Sequence, residues 1–144
     1  MYQFIYPANV EKDEGGFYFV TFPDIERAAT DGESLEEALE EAKDCLLEAI
    51  AFRITQNMDI PYASELKKGQ YPVALSPLMA AKTALYITLK ESGLNKSSLA
   101  KKLGIDEKEV RRMLSPKHQT KVSRIDEVLN ALGKKLVISI ADAA

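Results

Sequence analysis

Residues 96–114 read KSSLAKKLGIDEKEVRRML, and this stretch decides the architecture of the C-terminal half. Leu99, Ala100 and Leu103 fall on one helical stripe. Gly104 breaks that helix, and Asp106 can cap a second one that turns Val110, Met113 and Leu114 inward. A small residue at 100, a glycine at 104 and a β-branched residue at 110 suit two helices crossing steeply around a shared core. The pattern is that of a helix-turn-helix, whose second helix can lie in the DNA major groove. Taken alone it also fits an ordinary helical hairpin.

Charge separates the two readings. The 144 residues carry a net charge of −3, which conceals a division along the chain. Residues 1–66 hold 15 acidic and 4 basic side chains, a net of −11, whereas residues 67–144 hold 7 and 15, a net of +8. A basic half carrying a helix-turn-helix has the footprint of a phosphate-backbone binder. The acidic half would repel DNA and suits a basic protein, although a solvated helix face is the bland account of such a run.

Outward from the motif, Ser76-Pro77 opens a helix that continues to residue 91 through Leu78, Ala81, Leu85 and Leu89. Residues 123–132 give another through Ile125, Val128, Leu129 and Leu132, stopped by Gly133. The tail 135–141, KLVISIA, reads as a strand apolar on both faces. A lone strand after helices leaves its backbone unpaired. Pairing with the same strand of a second copy across a two-fold axis resolves this, placing Leu136, Val137, Ile138 and Ile140 at a dimer interface. Such a dimer would present two recognition helices one DNA turn apart. Residues 71–75 of the same chain are the alternative partner.

The N-terminal half reads as a small α+β unit. Residues 2–6 and 17–22 are aromatic and β-branched runs flanking a polar turn at 11–16 that ends in Gly-Gly, which is a hairpin signal. Apolar residues at both alternations of 17–22 leave neither strand face suited to water. Residues 22–25 and 28–31 predict a short third strand, with Pro23 at an edge or bulge. Ser34 and Glu37 form a capping box. From there Leu35, Ala38, Leu39, Ala42, Cys45, Leu46, Ala49 and Ile50 make the inward stripe of one long helix ending about Arg53. Its other face carries Glu36, Glu37, Glu40, Glu41, Asp44 and Glu48. Residues 57–70 read as a loop. The expected organisation is therefore an α+β domain at 1–66, with a small antiparallel sheet and one long helix. A linker or short strand follows at 67–77, then a mainly helical domain at 78–144 with a terminal dimerising strand.

Few chemistries remain open. No segment approaches the roughly 18 unbroken apolar residues of a membrane span, and the N-terminus lacks the pattern of a signal peptide. Cys45 is the only cysteine, so no internal disulfide or thiolate cluster can form. A cytoplasmic home is expected, with Cys45 as a small core hydrophobe. His118 is the only histidine and lies in a loop; it is either an exposed residue or a phosphate contact beside Lys117 and Lys121. No Gly-rich phosphate loop is present, and no catalytic group, metal site or cofactor is expected. A two-metal nuclease would need several carboxylates converging on strand ends, and neither N-terminal run carries one.

The order Asp13-Glu14-Gly15-Gly16-Phe17-Tyr18-Phe19-Val20, Pro23-Asp24-Ile25, Thr30-Asp31-Gly32-Glu33-Ser34 and Glu37-Ala38 resembles the HicB antitoxin pattern. The likeness covers about residues 1–55, and the attached helix-turn-helix is similar to the DNA-binding form of the family. One departure is Glu26-Arg27, where the family often has Pro-Gly. The resemblance implies a partial ribonuclease H-like domain that masks a small basic, mRNA-cleaving HicA-like toxin, and a dimer that represses its own operon. Toxin contacts are then expected at Phe22, Pro23, Asp24 and Ile25 and on the helix face of Glu37, Glu40, Glu41 and Asp44. On the second helix of the motif, Lys108 and Arg112 share one face with base-reading geometry, with Arg111 beside them. Glu107 either accepts from a cytosine amine or complements the helix dipole. Ser97, Ser98, Lys101, Lys117, Gln119 and Lys121 are expected phosphate contacts. The competing functions are a stand-alone regulator whose N-terminal domain senses a small ligand, and an adaptor that uses the motif only to dimerise.

Overall fold

The strand β1 (Ile5–Lys12) lies inside a four-stranded sheet together with β2 (Tyr18–Thr21), β3 (Ala29–Gly32) and β4 (Tyr71–Ala74). The computed structural model describes residues 1–143. The order across the sheet is β3-β2-β1-β4, and every pairing is antiparallel. β1 uses different halves for its two partners: Ile5–Ala8 face β4, with Tyr6 opposite Val73, and Asn9–Lys12 face β2, with Val10 opposite Val20. Alternation puts Tyr6, Ala8, Val20 and Val73 on the buried face.

β1 begins later than the run 2–6 suggests and continues through residues that look like a turn. Asn9, Glu11 and Lys12 are ladder members because Tyr18–Thr21 pair with them, and long-range pairing overrides local polarity. The true turn is tighter. The Asp13 carboxylate accepts the Phe17 N–H at 2.8 Å, and Gly16 has φ of 89°, a conformation open to glycine at no steric cost. Phe17 and Phe19, expected to be covered, are exposed.

The third strand is only Ala29–Gly32. Residues 22–28 form a compact turn instead, closed by Ile25 N–H on Phe22 O at 3.2 Å, Ala28 N–H on Ile25 O at 3.3 Å and Phe22 N–H on Ala28 O at 3.3 Å. Pro23 has no N–H to offer a ladder. Arg27 sits at φ of 64°, the left-handed region that glycine favours. It stands where the family pattern often has that glycine.

The helix α1 (Leu35–Thr55) covers the buried face. Ser34 caps it through the Glu37 N–H at 3.1 Å. The returning bond of Glu37 goes to the Glu33 N–H at 3.2 Å rather than to Ser34, so the box closes one residue earlier than the motif predicts. Ala38, Ala42, Leu46, Ile50 and Ile54 are the buried stripe. Cys45 is only half-buried, on the flank of that stripe rather than in the core. Its thiol contacts Ala29 O at 3.6 Å. Burial, and then Glu48, push its pKa up.

Residues 58–70 form no helix or strand, yet they are tied down. Tyr6 donates its hydroxyl to Pro61 O at 2.7 Å. Asp24 accepts from the Ser64 N–H and hydroxyl at 2.9 and 3.0 Å, and Gln70 donates to Asn9 at 3.0 Å. The compact unit ends at Ala80, inside α2 (Pro77–Ser92), and a second begins at Ala81.

In the second unit α2 is followed by α3 (Lys96–Leu103), α4 (Glu107–Leu114) and α5 (Val122–Ala131). Leu85, Leu99, Val110, Met113, Ile125, Val128 and Leu129 are its most buried apolar side chains. α2 is buried all round from residue 81 to residue 89, where the apolar spacing alone predicts a single packed stripe. No strand follows α5 among the described residues: the tail joins no sheet. Gly133 ends α5 at φ of 81°, and the Leu136 N–H bonds to Asp126 at 3.0 Å. Beyond that point Ile138 is 84% and Ile140 98% exposed. The expected terminal strand is absent because a strand needs a backbone partner, and none lies beside this segment in a single chain.

Candidate functional site

The helix-turn-helix is built by its caps. Asn95 precedes α3 and accepts the Ser98 N–H at 2.7 Å, while Ser98 Oγ accepts the Asn95 N–H at 2.8 Å, a reciprocal capping box. Gly104 ends α3 in the left-handed region at φ of 69°, and the Ile105 N–H returns to Ala100 O at 3.0 Å. Asp106 then caps α4 by accepting the Lys108 N–H at 2.9 Å. With Leu99, Val110, Met113 and Leu114 buried, the opposite face of α4 is fixed outward.

That face carries Lys108, Arg111 and Arg112, all exposed, with Glu107 half-exposed. Arg111 is paired with Glu107 at 3.1 Å along the helix, which leaves Lys108 and Arg112 as the i,i+4 cations of this face without an ion pair among the described residues. Ser97 and Lys101 on α3 are exposed, as are Lys117 and Gln119 in the loop after α4, and Lys121 at the start of α5. Ser98 differs from these: its hydroxyl is committed to the α3 cap. A second tie comes from Arg124 on α5, which reaches Glu109 on α4 at 2.9 Å and Glu127 at 2.8 Å. Both carboxylates, Glu127 first, hold its guanidinium charged.

Beneath this surface lies a group that periodicity does not single out. Lys82 of α2 is 1% exposed. Its Nζ donates to Arg112 O at 2.9 Å, Met113 O at 3.1 Å, Ser115 O at 2.9 Å and Thr120 Oγ1 at 3.0 Å. Two of those carbonyls belong to the last turn of α4, where intrahelical donors run out; Arg112 O also takes the Ser115 N–H at 3.3 Å. Burial draws the lysine pKa down from its usual value. The sequence does hold one signal: Lys82 is the only charged residue between Pro77 and Leu89. Nothing local, however, names its partners more than 29 residues ahead.

In the first unit, Glu36, Glu37, Glu40, Glu41, Asp44 and Glu48 line the exposed side of α1, with Glu40 paired to Lys43 at 2.9 Å. The residues expected beside them divide. Phe22 is 4% and Ile25 1% exposed: both are turned into the core beneath the 22–28 turn. Pro23 stays exposed, and Asp24 is occupied by Ser64. Among the dimer candidates Leu136 is half-buried and Val137, Ile138 and Ile140 are exposed. Among the described residues no group of three or more His, Cys, Asp or Glu is placed to hold a metal ion, and no helix is long and apolar enough to cross a membrane.

Against known proteins, residues 5–84 match the family described as a HicB-like antitoxin of bacterial toxin-antitoxin system. "Antitoxin HicB 1" of Photorhabdus laumondii is 37% identical over 135 residues, 94% of this chain and 86% of that protein. "Antitoxin HicB 2" of the same organism is 40% identical over 91% of this chain and 92% of its own length. "Antitoxin HicB" of Escherichia coli strain K12 is 34% identical over 91% of this chain and 95% of its own.

Proposed function

This chain belongs to the HicB family of antitoxins, and from that premise we propose a non-enzymatic antitoxin with two working surfaces. The acidic face of α1 covers the RNA-binding surface of a small basic HicA-like toxin. The outward face of α4, carried by a dimer, binds an inverted repeat in the chain's own promoter and represses its operon. The observation that supports this reading most is the occurrence in one chain of an exposed carboxylate face on α1 and an exposed cationic face on α4.

At the toxin surface Glu37, Glu40, Glu41 and Asp44 supply charge complementarity, which speeds encounter and selects a basic partner. Phe22 and Ile25 act from within, shaping the loop that presents Pro23. At the DNA surface Arg112, with Lys108, reads base edges, and Ser97, Lys101, Lys117, Gln119 and Lys121 hold the phosphates. Leu136, Val137, Ile138 and Ile140 gain a backbone partner when two tails meet, which gives the exposed apolar tail a role in the dimer. A bacterial cytoplasm, where toxin and promoter are both present, is the fitting compartment.

Charge reversal separates the two surfaces. The triple change Glu40→Lys, Glu41→Lys and Asp44→Lys is expected to abolish rescue of growth from the co-expressed toxin while leaving promoter binding intact. Full rescue by this variant would refute the acidic face as the toxin site.

A further inference from the structure

Lys82 raises a question that core packing does not answer, because an ammonium in a protein interior is costly unless its donors are satisfied. Here three N–H donors face four oxygens at 2.9–3.1 Å. The oxygens come from two pieces of chain. Arg112 O and Met113 O close the last turn of α4, and Ser115 O begins the loop that follows it. Thr120 Oγ1 belongs to the far end of that loop, one residue before Lys121, the N-cap of α5. The loop's own backbone supplies little else: His118 N–H on Ser115 O at 3.3 Å is its single internal backbone bond among the described residues. The positive charge also lies at the C-terminal end of α4, where the helix dipole favours a cation.

We propose that Lys82 is a positioning residue for DNA recognition, fastening the end of the α4 helix that carries Arg112 to the loop that carries Lys117, Gln119 and Lys121. This rests on the reading of α4 as the operator-binding helix. Lys82 itself is buried and touches no DNA. Its effect is to fix the distance between the base-reading arginine and the phosphate-binding loop, so that both meet one duplex in a single geometry. A loop free to move would have to be ordered at each binding event, at a cost to affinity.

Thr120 offers the cleanest test, since Thr120→Val removes one acceptor and still leaves three carbonyls for the three N–H groups of Lys82. The expected result is operator affinity about tenfold weaker, faster amide exchange confined to residues 116–121, and an unchanged melting temperature. Thr120→Ser, which keeps the hydroxyl, is expected to restore both affinity and exchange protection. Lys82→Met should produce the larger loss of affinity and of loop protection. Wild-type affinity and wild-type exchange in Thr120→Val, or failure of Thr120→Ser to restore them, would overturn the proposal. If the unaltered chain binds no promoter DNA, the operator reading fails instead. The exchange comparison still decides the clamp, and unchanged protection at 116–121 in Thr120→Val would refute it.

Discussion

A methyl group on Gly32 would stand 2.5 Å from the backbone nitrogen of Ala38 and 2.8 Å from its Cα. Backbone cannot yield as a flexible side chain can, so the requirement for glycine here is one of space, set by how closely β3 approaches the first turn of α1. Gly32→Ala is expected to destabilise the first unit by about 2–3 kcal/mol through overpacking, measurable by denaturant unfolding. Tyr6 makes a second residue-scale claim. It is fully buried, and burial, then the nearby Asp24 charge, raise its phenol from 10.0 to about 12. The folded-state pKa exceeds the unfolded one, so its contribution is complete below pH about 10 and is lost as pH climbs through about 12. Unfolding free energy should therefore fall over that window, by at most about 3 kcal/mol. Tyr6→Phe should lower stability at neutral pH by roughly 1 kcal/mol and flatten the alkaline decline. A decline of undiminished size in Tyr6→Phe would assign it to other groups.

Among the elements, α4 carries the sharpest expectation. Arg112→Ala should weaken operator binding by roughly 1–3 kcal/mol and relax the base preference at one position. Lys121→Ala should weaken all sequences alike and reduce the salt slope by about 1. Equal losses on operator and random DNA for Arg112→Ala would remove it from the base-reading role. The helices were readable in the sequence because their determinants are local: Ser34 and Asp106 at caps, Gly104 in a left-handed turn, apolar residues at helical spacing. The strands were less so. β1 runs through Asn9, Glu11 and Lys12 because of what lies across from it, and the 22–28 turn forms where a third strand was expected to begin. The tail shows the opposite case: strand-like composition without a partner strand yields no strand. Lys82 shows in the sequence only as a lone charge in an apolar stretch of helix. Its role was not legible for the same non-local reason, since its four acceptors come from the end of α4 and the loop after it.

For the whole molecule, the division of charge along the chain gives two surfaces with different salt responses. DNA affinity should fall steeply and linearly in log–log terms as salt rises, with a slope of about −0.9 per phosphate contact. Toxin binding should lose association rate more than affinity, because steering is screened while buried contacts are not. The candidate toxin face could be read from sequence as far as its charges, which remain exposed on α1. Its apolar part could not, because whether Phe22 and Ile25 face solvent or core depends on packing against the rest of the unit, and the Asp24 to Ser64 bonds that tie this turn down reach 40 residues along the chain. The central claim, that the acidic unit holds a basic partner, is tested most directly by tagging the chain in its native cell, purifying it in mild salt and weighing the intact assembly. The account predicts a small basic protein present in equal stoichiometry. A chain recovered alone, as a dimer that still binds its own promoter, would contradict it.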